Sequence, residues 1–115
     1  MASLDMKGPY SLTTENIDKY VSESIGNYAL GYSDDTTFYP QYVGRSDTNL
    51  NKRLKDYLDV KKEDIKEFRF SYAENAIAAY FKECRNYHDF NLKYNDIHPD
   101  KPNGQGSLKC PVCGK

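Results

Sequence analysis

Two short segments of alternating side-chain size, separated by turn-forming residues, constrain the fold of this chain more than any other feature. Residues 27–33 place Tyr28, Leu30 and Tyr32 on one side and small residues on the other, which is the pattern of a half-buried strand. The sequence Ser-Asp-Asp-Thr-Thr follows, and these residue types favour turns. Residues 38–44 form a second extended segment. The pattern therefore predicts a β-hairpin.

The remaining segments extend this hairpin into a small domain. We expect three helices. The first covers residues 14–24, the second runs from a cap within residues 47–49 to residue 58, and the third covers residues 73–87. We also expect a third strand over residues 67–72. The sequence thus predicts an α+β fold with a small three-stranded antiparallel sheet flanked by helices. We expect residues 1–12 to be a flexible leader, residues 13–95 to be the domain, and residues 96–115 to be a tail rich in Pro and Gly.

Length and charge narrow the class of protein. The chain has 115 residues, enough for one domain with one core. No segment approaches the roughly 18 apolar residues of a membrane span, and no signal peptide is visible, so we expect a cytoplasmic protein, or one of the nucleoid or nucleus. Residues 45–66 carry seven Lys or Arg and five acids. This excess predicts a phosphate-binding surface, although a solvated helix explains the counts equally well.

Arg53 and Tyr57 are the first candidate site residues. They are four residues apart on the second predicted helix, on one edge beside a stripe of three leucines at positions 50, 54 and 58. An arginine held there could bind a phosphate through two parallel hydrogen bonds. The alternative is a surface arginine stacked on a tyrosine.

A wider set of residues shares its order and spacing with a known family. Glu83 precedes Asn95 of the Tyr94-Asn95 pair by twelve residues. Upstream of Glu83 lie the remaining five members of the set, which are Tyr28, Tyr42, Arg45, Arg53 and Tyr57. This arrangement resembles the GIY-YIG nuclease family, most closely its members in bacterial nucleotide-excision repair. The resemblance covers roughly residues 27–95 and implies the same three-stranded fold.

The resemblance also implies a metal site. Glu83 would be the sole protein ligand of a catalytic Mg²⁺ or Mn²⁺, a role that suits a carboxylate. Glu74 is a rival on the same predicted helix, but its spacing to Asn95 does not match the family. Asn95 would brace the site.

The other roles follow from the same resemblance. Tyr28 and Tyr42 would bind the attacking water, and one of them would be the general base, with nearby positive charge lowering its pKa. Arg45 would supply positive charge only. Arg53 would bind the phosphate, and Tyr57 would orient it.

A second metal site is predicted in the tail. Cys110 and Cys113 form a Cys-Pro-Val-Cys turn followed by glycine, which is typical of zinc sites. Cys84 and His88, four residues apart on one helical face, would complete a structural Zn²⁺ site, with His98 as the competitor for His88. The pattern also occurs in small members of the resembled family. Alternatives are a core role for Cys84, a redox pair, or a ribbon completed by a partner chain.

These features predict a divalent-metal-dependent endonuclease that acts on nucleic acid, with DNA favoured over RNA. The alternative is a catalytically silent, zinc-stabilised module that binds nucleic acid or protein. A redox protein is a weaker alternative, because the βαβ context of such enzymes is missing. Since the sequence shows no separate DNA-reading domain, a protein partner or a second copy of the chain could supply specificity.

Overall fold

The structure is a computed structural model that describes residues 4–95 and 97–115. It contains four strands and three helices. The strands are β1 (Lys7–Ser11), β2 (Gly26–Ser33), β3 (Phe38–Ser46) and β4 (Glu67–Tyr72). The helices are α1 (Thr14–Tyr20), α2 (Leu50–Lys55) and α3 (Ala76–Asp89). The α+β class is therefore confirmed. Residues 1–3 of the predicted leader and residue 96 of the predicted tail lie outside the described residues.

The sheet has four strands, so the prediction of three was wrong. Its order is β1-β4-β2-β3, and each neighbouring pair is antiparallel. The additional strand, β1, comes from the segment expected to be a flexible leader. Leu4 and Met6 just before it are buried, and Arg69 donates a hydrogen bond to the carbonyl of Met6. Burial of these two apolar side chains holds β1 against β4.

The helices cover both faces of the sheet. Side chains of β2 and β4 pack with α1 and α2 in one core, whose buried members are Ile17, Val21, Tyr28, Leu30, Leu50, Leu54, Ile65, Phe68 and Phe70. On the opposite face, Ala29 and Val43 pack with Leu4 and Met6, and α3 crosses β2 and β3. Asn27 of β2 is fully buried there and donates to the carbonyl oxygen of Ala79 in α3, at 2.9 Å.

The predicted hairpin is present, and its register carries one irregularity. Leu30 pairs with Tyr42, whereas the next residue, Gly31, pairs with Pro40, so Gln41 is an extra residue in β3. Such a bulge bends a strand and re-aims its side chains. Pro40 lies in an edge strand, where a missing N–H is tolerated. The bulge thus immediately precedes Tyr42, a predicted site residue.

Helix boundaries follow the capping side chains. Thr13, Asn49 and Asn75 each accept a hydrogen bond from a first-turn amide of α1, α2 and α3, at 3.2, 3.0 and 2.8 Å respectively. All three helices differ from the predicted bounds: α1 ends at Tyr20, α2 ends at Lys55, and α3 begins at Ala76 and continues to Asp89. Among the described residues, no helix is long and apolar enough to cross a membrane.

The turn of the hairpin generates a prediction about stability and pH. Asp34 accepts hydrogen bonds from the Tyr39 hydroxyl at 2.6 Å and from the amides of Thr36 and Thr37 at 2.9 and 2.8 Å. These bonds, the Tyr39 bond foremost, lower the pKa of Asp34 to about 2. The unfolded value is about 3.9, so the carboxylate stabilises the fold above that pH, and this contribution is lost as pH falls towards 2.

We therefore expect Asp34→Asn to be less stable than the parent at pH 7, with the difference shrinking between pH 4 and pH 2. Denaturant titrations across that range measure it. Asp35→Asn is the control, because Asp35 accepts none of the three bonds. A pH-independent difference for Asp34→Asn would contradict the assignment.

Candidate functional site

Most of the predicted catalytic residues meet in one groove. A cavity of about 380 Å³ is lined by Tyr28, Tyr42, Gly44, Arg45, Ser46, Asp47, Thr48, Arg53, Glu83 and Asp100. Tyr28 and Tyr42 extend towards α2, whereas Arg45 and Glu83 lie on the α3 side of the sheet. The two groups meet because β3 is an edge strand. The groove therefore crosses the edge of the sheet and combines side chains from both faces.

Two tyrosines, Tyr28 and Tyr42, line the groove, and a third, Tyr57, lies against them. The hydroxyls of Tyr28 and Tyr57 are 2.5 Å apart, and the ring of Tyr42 lies 6.2 and 5.8 Å from the rings of Tyr28 and Tyr57. Burial raises the pKa of Tyr28 well above its usual value, and burial is also the largest cause of a raised pKa for Tyr42. The sequence predicts a lowered pKa at one of these tyrosines, whereas the pKa of each is raised. Arg53 acts in the expected direction on Tyr28, but desolvation is larger.

Gly44 provides the space that Tyr28 occupies. A Cβ atom at position 44 would lie 2.4 Å from the Tyr28 hydroxyl and 2.6 Å from the ring carbon that bears it. Real Cβ atoms do not approach other atoms this closely, and the Tyr28 side chain, which is 1% exposed, is enclosed by the core. Glycine at this position therefore permits the tyrosine arrangement. Gly44 ends the second extended segment of the sequence, but spacing alone does not show which side chain it accommodates.

Glu83 is the acidic centre of the groove. It lies on the inner face of α3 and is 9% exposed, and its Oε1 accepts a hydrogen bond from Nη1 of Arg45 at 2.5 Å. Burial raises the pKa of Glu83, and the ion pair with Arg45 opposes this rise. Arg45 also donates from Nε to Asp47 at 2.8 Å. Arg45 therefore bridges two carboxylates, which exceeds the charge-only role expected from the sequence.

Arg53 contributes an available positive charge. Its side chain is exposed on α2 and lines the groove, and it makes no ion pair with any residue in 4–95 or 97–115. A guanidinium in such a position can bind a phosphate oxygen through two hydrogen bonds. The rival carboxylate, Glu74, is exposed and precedes the first residue of α3, away from this groove.

Asn95 pairs with the free edge of β3. Its Oδ1 accepts from the amide of Val43 at 2.8 Å, and its Nδ2 donates to the carbonyl of Val43 at 2.9 Å. The amide of Tyr94 donates to the carbonyl of Gln41 at 3.0 Å. These three bonds flank Tyr42 on both sides and satisfy backbone groups that an edge strand leaves open.

The donor set at Glu83 fits a hard divalent cation. Mg²⁺ is commonly bound by one or two carboxylates together with waters and substrate phosphate oxygens. Glu83 and Asp100 line two cavities of about 380 and 320 Å³, and Arg45 occupies Oε1 of Glu83. The remaining oxygen, Oε2, has no hydrogen bond to a described residue. One carboxylate oxygen is thus available in a desolvated setting.

A separate group of soft ligands lies at the end of α3. The ligand atoms of His88, His98, Cys110 and Cys113 all lie within 4.8 Å of one another, and Sγ of Cys113 is 3.4 Å from Nε2 of His98. Two thiolates and two imidazoles form one of the common tetrahedral zinc sets. Burial tends to raise the pKa of the Cys110 thiol. Hydrogen bonds, first of all those from the backbone amides of Cys113 and Val112, outweigh this effect and lower the pKa to about 5. The group therefore has the chemistry to hold zinc.

Cys84 lies outside this group, which corrects the predicted ligand set. Both histidines take part, so His98 joins His88 and does not compete with it. Cys84 is fully buried and packs with Tyr80 and Cys110, and burial is the main cause that raises the pKa of its thiol to about 12. A thiol in this setting stays protonated and packs as a small apolar side chain. Helical spacing had placed Cys84 and His88 on one face, but α3 turns Cys84 into the core.

The tail also reaches the groove. His98 of the Cys/His group is followed by Pro99 and Asp100, and these three residues line a cavity of about 320 Å³ together with Tyr42, Glu83 and Asn95. The negative charge of Asp100 is one of the causes that raise the pKa of Glu83. Asp47 and Asp100 were not among the predicted site residues, because a single acid in a loop carries no spacing signal.

Comparisons with known proteins agree with this geometry. No protein-family model and no curated protein sequence matches the chain. Solved structures of the GIY-YIG N-terminal endonuclease domain of UvrC from Thermotoga maritima do match. The magnesium-bound form has a TM-score of 0.55 and 24% identity, over 70% of this chain and 97% of that domain.

Two variants of the same domain, each bound to its catalytic divalent cation, give similar values. A tyrosine-to-phenylalanine variant has a TM-score of 0.56 and 22% identity, over 72% of this chain and 98% of that one. An asparagine-to-alanine variant has a TM-score of 0.54 and 23% identity, over 70% and 94%. At this level of identity the structural likeness shows the fold alone: the chain has a GIY-YIG-like fold.

Proposed function

We propose that the protein is a divalent-metal-dependent endonuclease that hydrolyses phosphodiester bonds in nucleic acid. The observation that carries this proposal is the meeting of three tyrosines, two arginines and a desolvated carboxylate at one sheet edge. The matched domain of UvrC is described as an endonuclease domain bound to a catalytic divalent cation, which supports the same chemistry here. DNA is the proposed substrate over RNA, and a cytoplasmic, nucleoid or nuclear location follows from that substrate.

Each residue of the groove has a separate role in the proposed hydrolysis. Glu83 would hold Mg²⁺ or Mn²⁺, whose contribution when bound is to polarise the phosphoryl group and stabilise the leaving oxygen. Arg53 binds a phosphate oxygen of the strand. Arg45 opposes the rise in the pKa of Glu83 that burial causes and fixes the orientation of its carboxylate. Asn95 braces β3 on either side of Tyr42, which keeps that side chain in register with the groove.

Tyr28 and Tyr42 lie in different surroundings, and this difference supports a separate role for each. Tyr28 is enclosed, and its hydroxyl is engaged by Tyr57. Tyr42 is half-buried and lines the cavities on both sides of Glu83. Tyr42 therefore contacts the attacking water and serves as its base, while Tyr28 and Tyr57 hold its position through the hydroxyl network. Tyr42 would first release its own proton to solvent, which the positive charge of Arg53 and of a bound cation would favour by lowering its pKa. The resulting phenolate could then accept the proton of the attacking water.

A catalytically silent binding module remains the second candidate. The Cys/His group favours it, because a zinc-stabilised domain of this size could bind nucleic acid or a protein partner without cleaving anything. The desolvated Glu83 argues against it. A binding module has no need of a buried carboxylate beside a cluster of tyrosine hydroxyls, and removing that carboxylate separates the two functions.

We expect Glu83→Gln to lower the cleavage rate by at least about a hundredfold, since a metal ion acting on the phosphoryl group is worth several kcal/mol. Nucleic-acid binding should remain, because Gln keeps the shape of the side chain. The measurement is cleavage of branched, single-stranded and duplex DNA and RNA with and without Mn²⁺. Glu74→Gln is the matched control and should cleave normally. A Glu83→Gln variant with the parental rate would refute the assignment.

Gly44→Ala should reduce cleavage strongly while the protein remains folded, because the added Cβ must displace the Tyr28 hydroxyl. Since misplacement of a catalytic group by about 1 Å costs on the order of a hundredfold, we expect a loss of that size. Gly106→Ala serves as the control, as a Cβ there meets no atom within 4 Å. Equal rates for the two variants would show that the tyrosine arrangement is not required.

We further propose that the Cys/His group holds one structural Zn²⁺. Metal analysis of the purified chain should find about one zinc per molecule, because the described residues offer one set of four soft ligands. His88→Ala, His98→Ala and Cys110→Ser should each lose zinc, melt at lower temperature and cleave more slowly, since His98 fixes residues that line the groove. Cys84→Ser should retain zinc. Parental zinc content in His98→Ala would contradict this ligand set.

A further inference from the structure

An apolar pocket adjoins the groove and has no role in the proposed mechanism. Its volume is about 220 Å³, and it is lined by Leu30, Tyr42, Tyr57, Val60, Lys62, Ile65 and Tyr94. Leu30 and Ile65 form a buried apolar floor. Tyr42 belongs both to this pocket and to the groove. A ligand in the pocket therefore lies directly beside the proposed cleavage site.

The aromatic walls are held in place before any ligand arrives. The Tyr94 hydroxyl donates to Oδ1 of Asp64 at 2.7 Å, and its backbone amide donates to the carbonyl of Gln41 at 3.0 Å. Tyr57 is held by its hydroxyl contact with Tyr28 at 2.5 Å. Rings fixed in this way lose little conformational freedom on binding a flat ligand. The pocket is thus preorganised for stacking or edge contacts with an aromatic ring.

The rim of the pocket is basic. Nζ of Lys62 lies 4.8 Å from the centroid of the Tyr94 ring, and Lys62 makes no ion pair with the residues that the structure describes. Nζ of Lys93 lies 5.3 Å from the centroid of the same ring and pairs with Asp64. An apolar aromatic interior with an uncompensated positive charge at its mouth matches a flat base carrying a phosphate.

We propose that this pocket receives one unpaired nucleobase of the strand being cut. This inference rests on the proposed function and specifies its substrate as nucleic acid with an unpaired nucleotide next to the scissile phosphate. A base inside a duplex is paired and stacked, so it reaches such a pocket only after unstacking. Single strands, flaps and bulges present the base without that cost. An apolar side chain of a partner protein is the competing occupant, and it carries no phosphate to pair with Lys62.

The test measures binding by Glu83→Gln, so that cleavage does not interfere. A fluorescently labelled single-stranded oligonucleotide is titrated with this variant, and each nucleotide in turn is replaced by an abasic one. We expect one position at which loss of the base weakens binding about tenfold, the scale of one base–aromatic stack. Adding Val60→Trp, which fills the pocket, should weaken binding of the intact strand to the same level and remove the abasic effect. Tyr20→Trp, at an exposed aromatic site at the end of α1, is the control and should change neither.

Two further measurements decide the remaining cases. Should Val60→Trp fail to fold, Tyr94→Ala replaces it, because this substitution removes one aromatic wall of the pocket, and it should weaken the intact strand more than the abasic one. An abasic effect that persists unchanged in the pocket variants, or no sensitive position at all, would overturn the proposal. Failure of the proposed function is distinct: the parent protein with Mn²⁺ would then cleave no nucleic acid. If the protein cleaves fully paired duplex as fast as single strands, the proposed endonuclease activity would stand, but the proposed base pocket would be refuted.

Discussion

The site depends on β3 being an edge strand. Side chains of a strand alternate between the two faces of its sheet, so Tyr42 and Arg45 project to opposite sides. In a central strand the neighbouring backbone would separate them, whereas at an edge the two sets can face one cavity. An edge strand leaves backbone groups without a partner strand, and at Val43 these groups form hydrogen bonds with the side-chain amide of Asn95. One residue thus protects the edge and fixes the register of the groove.

The chemistry of that groove rests on desolvated charge. Glu83 and Arg45 form an ion pair with side chains 11% and 10% exposed. The hydration free energy that such a pair loses on burial is offset only when its hydrogen bonds have good geometry. Arg45 therefore bonds Asp47 as well as Glu83. The three tyrosines are desolvated by the same enclosure, which raises the pKa of Tyr28 and Tyr42. Positive charge brought to the groove by a cation acts strongly here, since little water screens it.

Much of this arrangement follows from the sequence, and the gaps have physical causes. Period-two alternation located the hairpin, and the cap expected within residues 47–49 located the start of α2. The start of α3 was predicted three residues too early, at residue 73, because no cap was assigned to it. Strand β1 was missed because its side chains are mostly exposed, and its partner in the sheet is remote in sequence. The zinc ligands were partly wrong because helical spacing brings Cys84 and His88 together but does not show that Cys84 turns into the core. The raised tyrosine pKa values reflect burial, which spacing does not reveal.

The central claim is that the carboxylate of Glu83 holds a divalent cation in the groove, and binding of Mn²⁺ to the zinc-loaded protein tests it most directly. Electron paramagnetic resonance of free Mn²⁺, followed as protein is added without nucleic acid, counts the sites. We expect one site in the parent protein and none in Glu83→Gln at the same concentrations, with both proteins melting alike. Equal Mn²⁺ binding by the two proteins would show that the cation is held elsewhere and would contradict the account.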